Sequence, residues 1–401
     1  MMSEKIAGGV TAAAGFRTAA VHCGIKLEDL DLALIVADKP ASAAAVFTTN
    51  LAAAAPVLIS KQQLHNSKGI AQAIAVNSGC ANACTGKAGL NNARKMAEVL
   101  SNTVGCQLDL ALVASTGVIG MPLNIEKVSK GIRKASHDLA RDTHGSAAEA
   151  IMTTDPWPKE TALRVNTPKG SFVIGGMVKG AGMIEPQMAT MLGFLTTDAA
   201  VNSKQLQKAL SEVTEETFNS ITVDGECSTN DSVFLLASGV SGVEINEKLY
   251  EPFVEGLRQV CRTLAQEIVR GGEGATKLVT IHVTGAQSHN DAKRAARALA
   301  NSLLVKTAIN GGDPNWGRLV AVAGRARVSF KLSRASVKIG RTVLFDNEEV
   351  FSNRETEAAE HLSGDKVDIV VDLGTEGKHE ATAWTCDLST QYVHINADYR
   401  T

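Results

Sequence analysis

The chain has 401 residues, 44% of them hydrophobic, with 35 Gly but only 10 Phe, 3 Tyr and 3 Trp, and 40 basic residues stand against 42 acidic ones for a net charge of −2. Such a balance excludes a disordered chain, which needs low hydrophobicity and high net charge. It also gives no general electrostatic grip on nucleic acid or anionic lipid. Length alone suggests two to three domains, at about 150 residues each. The core must be aliphatic and built from small residues. Seven Cys are odd in number and scattered, so a disulfide framework is not expected. Cys80 and Cys84 are four apart with no second pair nearby, and the nine His are dispersed, so no metal site is expected. No apolar run reaches the roughly 18 residues of a membrane span. The N-terminus lacks the apolar block of a secretory signal. A soluble, cytoplasmic protein is the expectation.

In chain order, residues 30–37, 43–49, 70–77 and 109–115 read as buried strands, and 88–103 and 124–139 as helices. The Gly-dense stretch 169–193 is the best domain boundary on composition. Asn202 to about Phe218 reads as an amphipathic helix with Asn202 or Ser203 as its cap. Over 247–270, Leu249, Phe253, Leu257, Val260, Leu264 and Ile268 recur at three- and four-residue steps, which predicts a long helix with one core-facing stripe. Gly271-Gly272 would cap it. Val279, Ile281 and Val283 alternate with polar residues as a half-buried strand does. A further helix is predicted over 288–306, and 325–395 reads as mostly strands with one short helix near 354–363. The class is α/β or α+β, with helices packed on sheets.

Familiar nucleotide and hydrolase motifs are absent. Gly86-Lys87 has the wrong spacing to Gly79 for a phosphate-binding loop. There is no GxGxxG after a strand and no GxSxG elbow. What remains is a set of polar loops among small residues: 77–86, 115–120, 179–192, 224–231, 272–277 and 312–318. Any one alone reads as turn chemistry. Six at element ends point to a site grafted onto the fold.

Those loops carry a resemblance. Lys-Gly-Ala-Gly-Met-Ile-Glu-Pro-Gln-Met-Ala-Thr-Met-Leu at 179–192 closely resembles the self-cleavage segment of the ornithine acetyltransferases, the ArgJ proteins of arginine biosynthesis. The likeness runs along essentially the whole chain. It includes Val46-Phe47-Thr48-Thr49-Asn50, the NSGxANACTG segment at 77–86, STGVIG at 115–120, MTTD at 152–155, STND at 228–231, EGATK at 273–277, GDPNWGR at 312–318 and Asn396–Thr401. Cys80 departs from the Asn common in the family, and Glu226-Cys227 is a local variation.

The resemblance implies an α/β (α+β) layered sandwich of the ArgJ/DmpA-like N-terminal-nucleophile type, self-cleaved between Ala189 and Thr190. Residues 1–189 would be the alpha chain and 190–401 the beta chain, strand-rich from about 325. Thr190 is then the nucleophile, and its new α-amine serves as general base, a device that needs no His. Thr116 and Gly117 would form the oxyanion hole. Substrate contacts carried over are Thr153, Lys179, Thr190, Glu273, Asn396 and Thr401, with Thr153 and its neighbour Thr154 both open as the inward-pointing residue. By charge, Lys179 suits a substrate carboxylate and Glu273 an ornithine amine. Acetyl would pass from N2-acetylornithine to glutamate by way of Thr190. The resemblance also implies a heterotetramer of two alpha and two beta chains. No metal, nucleotide cofactor, nucleic acid or membrane partner is expected. Whether acetyl-CoA is a second acetyl donor stays open, and an aminopeptidase-like hydrolase with an N-terminal nucleophile is the alternative.

Overall fold

Among the residues that the computed structural model describes, 3–185 and 191–398, the strands up to residue 237 build one nine-stranded sheet. Its strands are β1 (Ser3–Ile6), β2 (Phe16–Val21), β3 (Leu32–Phe47), β4 (Ile70–Asn77), β5 (Ala111–Ser115), β6 (Lys159–Thr167), β7 (Gly170–Lys179), β8 (Leu192–Thr197) and β9 (Ser232–Ala237). The order across the sheet is β1-β6-β7-β8-β9-β3-β4-β5, with β2 beside β3. The helices of this part are α1 (Ala55–Asn66), α2 (Gly86–Val104), α3 (Ile125–His137), α4 (His144–Ala150), α5 (Ser203–Glu216) and α6 (Glu247–Arg270).

Both faces of the sheet are covered, which is why β3, β4 and β5 read as continuous apolar runs without a polar face. The period of two divides β3 cleanly. Ala33, Ile35 and Ala37 enter one core with α4, Phe194 and Phe234. Leu32, Leu34 and Val36 enter another with Ile59 of α1, Met96 and Leu100 of α2, and Val128 and Ile132 of α3. Phe234 stacks on Phe194 and meets Phe47 edge-on, each at 5.7 Å between ring centres. The expected strands 30–37 and 43–49 are one strand. Its register shifts between Val36 and Ala41, so the exposed Asp38-Lys39-Pro40 is absorbed as an irregularity and not a turn. The helices expected at 88–103 and 124–139 are α2 and α3, and the Asn124 side chain caps α3. Asn202 caps α5 by accepting from the Gln205 N–H, as its sequence position suggests.

The expected boundary at 169–193 is not one. Residues 170–179 are β7, an interior strand hydrogen-bonded to β6 and β8. Its glycines serve close approach: a Cβ on Gly175 would lie 2.1 Å from the Gly9 carbonyl oxygen. The compact units divide elsewhere. One holds the chain to Asn219 together with Glu226–Ile268, and the other holds Ser220–Gly225 and the chain from Val269 onward.

The second unit contains a six-stranded sheet of β10 (Leu278–Ala286), β11 (Ser336–Ile339), β12 (Thr342–Asp346), β13 (Glu349–Val350), β14 (Lys366–Asp372) and β15 (His379–Cys386). Its helices are α7 (His289–Ala300), α8 (Leu303–Asn310), α9 (Trp316–Arg325), α10 (Glu355–Leu362) and α11 (Thr390–Asp398). Val279, Ile281 and Val283 are buried in its core as the alternation predicts. The single helix expected over 288–306 is two. Asn301 closes α7 and the Ser302 side chain caps α8. Nor do Gly271 and Gly272 cap α6 in the left-handed conformation; Gly274 takes it, at φ +69°. The loop at 312–318 is half helix, because Asn315 caps α9 by accepting from the Arg318 N–H.

Candidate active site

In the first unit, three of the polar loops are clasped together. The 77–86 segment leaves β4 and the 115–120 segment leaves β5, and these strands are parallel neighbours. Both loops therefore emerge at the same sheet edge. Cys80 bridges to Thr116 and Val118, and the Ala81 N–H donates to the Val118 carbonyl at 3.0 Å. Gly117 holds φ +122°, and a Cβ there would meet the Gly79 carbonyl carbon at 2.4 Å. Only glycine lets the two backbones approach this closely. Amide side chains finish the clasp. The Ser115 hydroxyl donates to Asn77 Oδ1 at 2.6 Å, and Asn77 Nδ2 donates to the Cys80 carbonyl at 2.8 Å. From the third loop, Asn230 Nδ2 donates to the Ala81 and Ser115 carbonyls at 2.6 and 2.9 Å.

Thr116 sits in this clasp, 8% exposed. Lys179, the last residue of β7 and equally buried, donates from Nζ to Thr116 Oγ1 at 3.3 Å. A buried ammonium beside a hydroxyl at a strand end is a setting able to stabilise developing negative charge.

Behind Lys179 stands Asp155, whose side chain is fully buried. Its Oδ1 accepts from Lys159 Nζ at 2.5 Å and from the Gly180 N–H at 2.7 Å, and its Oδ2 accepts from the Thr153 N–H at 3.1 Å. Burial pushes the Asp155 carboxyl up. Lys179 and Lys159, with the hydrogen bonds from Lys159 and Gly180, outweigh burial and hold it below its ordinary value. Thr153 and Thr154 are both half-buried, and it is Thr153 whose backbone joins this cluster. Asp231 is also buried, and its Oδ2 has no hydrogen-bond partner among the described residues. Desolvation, with Cys227 adding to it, drives its carboxyl well above the ordinary range despite Ser228, Lys179 and the Met191 N–H.

In the second unit, Glu273 is 7% exposed and accepts at Oε2 from Asn396 Nδ2 at 2.7 Å. The C-terminal residues are thus organised around the 272–277 loop, and Ser389 adds a hydrogen bond to the Gly274 carbonyl at 2.6 Å. Ala189, Thr190 and Thr401 lie outside the described residues. Of the expected site residues, the first unit brings Thr116, Gly117, Lys179 and Thr153 into one neighbourhood, and the second pairs Glu273 with Asn396. Sequence reasoning did not single out Asp155, Lys159 or Asn230. The motifs MTTD and STND contained the signal for two of them, since an Asp or Asn among small residues at an element end needs buried partners. Among the described residues no group of three or more His, Cys, Asp or Glu is placed to hold a metal ion. Among the same residues no helix is long and apolar enough to cross a membrane.

A sequence model of the ArgJ family matches residues 17–401. The chain belongs to the ArgJ family. Relatives at this level include the arginine biosynthesis bifunctional protein ArgJ of Symbiobacterium thermophilum, 46% identical over 99% of this chain and 100% of its own length. The protein of the same name from Bacillus subtilis is 42% identical over 99% of this chain and 98% of its own. A crystallised ArgJ chain of Bacillus halodurans is 41% identical, covers 51% of this chain and 97% of itself, and superposes with a TM-score of 0.49. ArgJ membership brings the polar loops 77–86, 115–120, 152–155 and 228–231 under one family, and the structure shows how side-chain amides and Asp155 hold their neighbours in place.

Proposed function

We propose that this ArgJ-family protein is a self-processing N-acetyltransferase of arginine biosynthesis that moves acetyl from N2-acetylornithine to glutamate. The observation that carries the reading is the buried Lys179–Thr116 contact at 3.3 Å, set in the Gly79–Gly117 clasp of a full-length ArgJ chain. In the first step the Thr190 hydroxyl attacks the Ala189 carbonyl. The C–N bond breaks, the Thr190 nitrogen takes up the hydroxyl proton, and an ester forms that water opens. The new α-amine has an ordinary pKa of about 7.7–8.0, well placed to take the hydroxyl proton near neutral pH. Thr190 Oγ then attacks the acetyl carbonyl of acetylornithine, Thr116 Oγ–H and Gly117 N–H stabilise the oxyanion, and ornithine leaves with the proton. Glutamate takes the acetyl group from the acetyl-Thr190 ester in a ping-pong cycle. Lys179 receives a substrate carboxylate and Glu273, set by Asn396, receives the ornithine amine. Thr153 and Thr401 complete the contacts.

The word bifunctional in the relatives' names supports acetyl-CoA as a second donor to glutamate. The active form is two alpha chains and two beta chains in the cytoplasm, with no metal or organic cofactor. Denaturing mass spectrometry should find fragments 1–189 and 190–401, and Thr190→Ala should stay whole and inactive. Thr116→Ala should lower kcat about 100- to 1000-fold, the usual cost of one oxyanion donor. Parallel assays with acetylornithine plus glutamate, acetyl-CoA plus glutamate, and an aminoacyl amide separate the two donors from the hydrolase alternative. Turnover of the amide alone would overturn the transferase.

A further inference from the structure

Strand β3 lies between β9 and β4, and β9 pairs with it from Ser42↔Ala237 to Phe47↔Ser232. The edge on the β4 side is open beyond Ser42, because β4 starts only at Ile70, opposite Ser42. There the Ala43 N–H donates to the Gly69 carbonyl at 2.8 Å and the Ala45 N–H to Gln207 Oε1 at 3.2 Å. The end of α1 and the first turn of α5 border this edge where a strand would otherwise stand. They leave a groove of about 510 Å³, lined along β3 by the small side chains of Ala43, Ala44 and Ala45. Its charge is one-sided. Lys61 and His65 of α1, Lys68 of the turn that follows and Lys204 of α5 line it, and no Asp or Glu does. Among the described residues none of the four is in an ion pair. A cation near the C-terminus of α1 is favoured by the helix dipole, which accounts for His65 but not for the three lysines. A concave surface of one sign concentrates ions of the other, and lysine serves phosphate as a point charge.

The groove has two unlike ends. At Ala43, the turn of Lys68 meets α5: Lys68 takes φ +56°, and the Ser203 hydroxyl donates to its carbonyl at 3.4 Å. Lys68 and Lys204 therefore stand at this end. At the other, Phe47 lines the groove and packs against a cluster that includes Ala81, Ala83 and Ile119. Those residues belong to the 77–86 loop and to the 115–120 loop that carries Thr116. Four strand steps of about 3.3 Å put ~13 Å between Ala43 and Phe47. Such a groove suits a long ligand with phosphates at one end and its reacting group at the other. We propose that it binds the phosphate-bearing end of acetyl-CoA, whose uncharged arm runs along Ala43–Phe47 toward the Thr116 loop. The proposal rests on the reading of acetyl-CoA as a second donor. At Thr190 the Oγ–acetyl bond forms, the C–S bond of the thioester breaks and the thiol leaves with the proton.

Lys61→Gln/Lys68→Gln/Lys204→Gln should raise the KM for acetyl-CoA about tenfold with kcat nearly unchanged, since the lost contacts bind ground and transition states alike. Its kcat and KM with acetylornithine plus glutamate should match the unaltered protein's, which also shows that the variant folds. The acetyl thioester of N-acetylcysteamine, a donor without phosphate, should serve both proteins equally. Adenosine bisphosphate, the nucleotide end of the coenzyme supplied alone, should compete with acetyl-CoA in the unaltered protein, less so as salt is raised. If the triple variant does not fold, Lys61→Gln and Lys204→Gln, both at exposed positions, carry the comparison singly. An unchanged acetyl-CoA KM in the folded variants would overturn the inference. So would inhibition by inorganic phosphate as strong as that by adenosine bisphosphate, which would mark a site for the free ion. If the unaltered protein takes acetyl from acetylornithine but not from acetyl-CoA, the second-donor reading fails and the inference falls with it. If it uses neither, the transferase reading itself fails.

Discussion

Asp231 shows how a single side chain can be set against its own charge. It is 2% exposed, and one oxygen has no hydrogen-bond partner among the described residues. Burial raises its carboxyl well above the ordinary value, so the folded state binds a proton that the unfolded chain releases near pH 4. Its contribution to stability is fully present below that unfolded pKa and is lost as pH rises toward the folded value. Asp231→Asn, close in shape and never charged, escapes that loss. Its melting temperature relative to the unaltered protein should rise between pH 5 and pH 8. A constant difference across that range would refute the assignment. Such a carboxyl could not be recognised in the sequence, where Asp231 reads as one more polar turn residue. Asp155 was hidden for a related reason: its role depends on Lys159, Gly180 and Thr153 meeting at one point, which spacing alone does not specify. Thr116 and Gly117, by contrast, stood out through the motif that contains them.

Elements were legible where one physical signal dominated. The stripe of α6 is buried as predicted, from Leu249 at 5% exposure to Ile268 at 0%. Strand β4 runs over 70–77 as the apolar run indicates. The misreadings share a cause, local punctuation overruled by tertiary packing. Pro40 did not end β3, because a register shift absorbs it. The glycines of β7 mark strands packed against backbone, not a linker. Helix α1 was missed because its buried residues, such as Ala55, Val57, Ile59 and Ser60, do not form a regular apolar stripe. At this scale the joints between elements matter most. Asn230 ties the end of β5 to the 77–86 loop through two buried carbonyls. Asn230→Ala leaves both without their donor and should lower unfolding free energy by about 1–3 kcal/mol in urea titration, with turnover falling alongside. Unchanged stability would mean that the clasp is held by Asn77 and the backbone alone.

For the whole molecule, the proposed cut falls between β7 and β8, which are antiparallel neighbours paired from Lys179↔Leu192 to Ile174↔Thr197. Cutting there removes a covalent link while leaving the ladder that joins the two strands. Fragments 1–189 and 190–401 should therefore co-elute in native gel filtration and part only in denaturant. Free elution of the first fragment would contradict this. The length suggested two to three domains, and the structure gives two compact units; that their division ignores the Gly-dense stretch could be seen only once the strands were paired.

The strand order has one more consequence. β8 and β9, from beyond the proposed cut, lie between β7 and β3, both from before it. The first fragment alone would have a gap two strands wide in the middle of its sheet. An uncut chain fills that gap by an intramolecular reaction, at the high effective concentration that a short connection confers. A cut protein, once denatured, must fill it by collision between two molecules. Its refolding becomes second order and slows with dilution, while the precursor regains its structure at a rate independent of concentration. The proposed cut, made after folding, would spare the chain that second-order step.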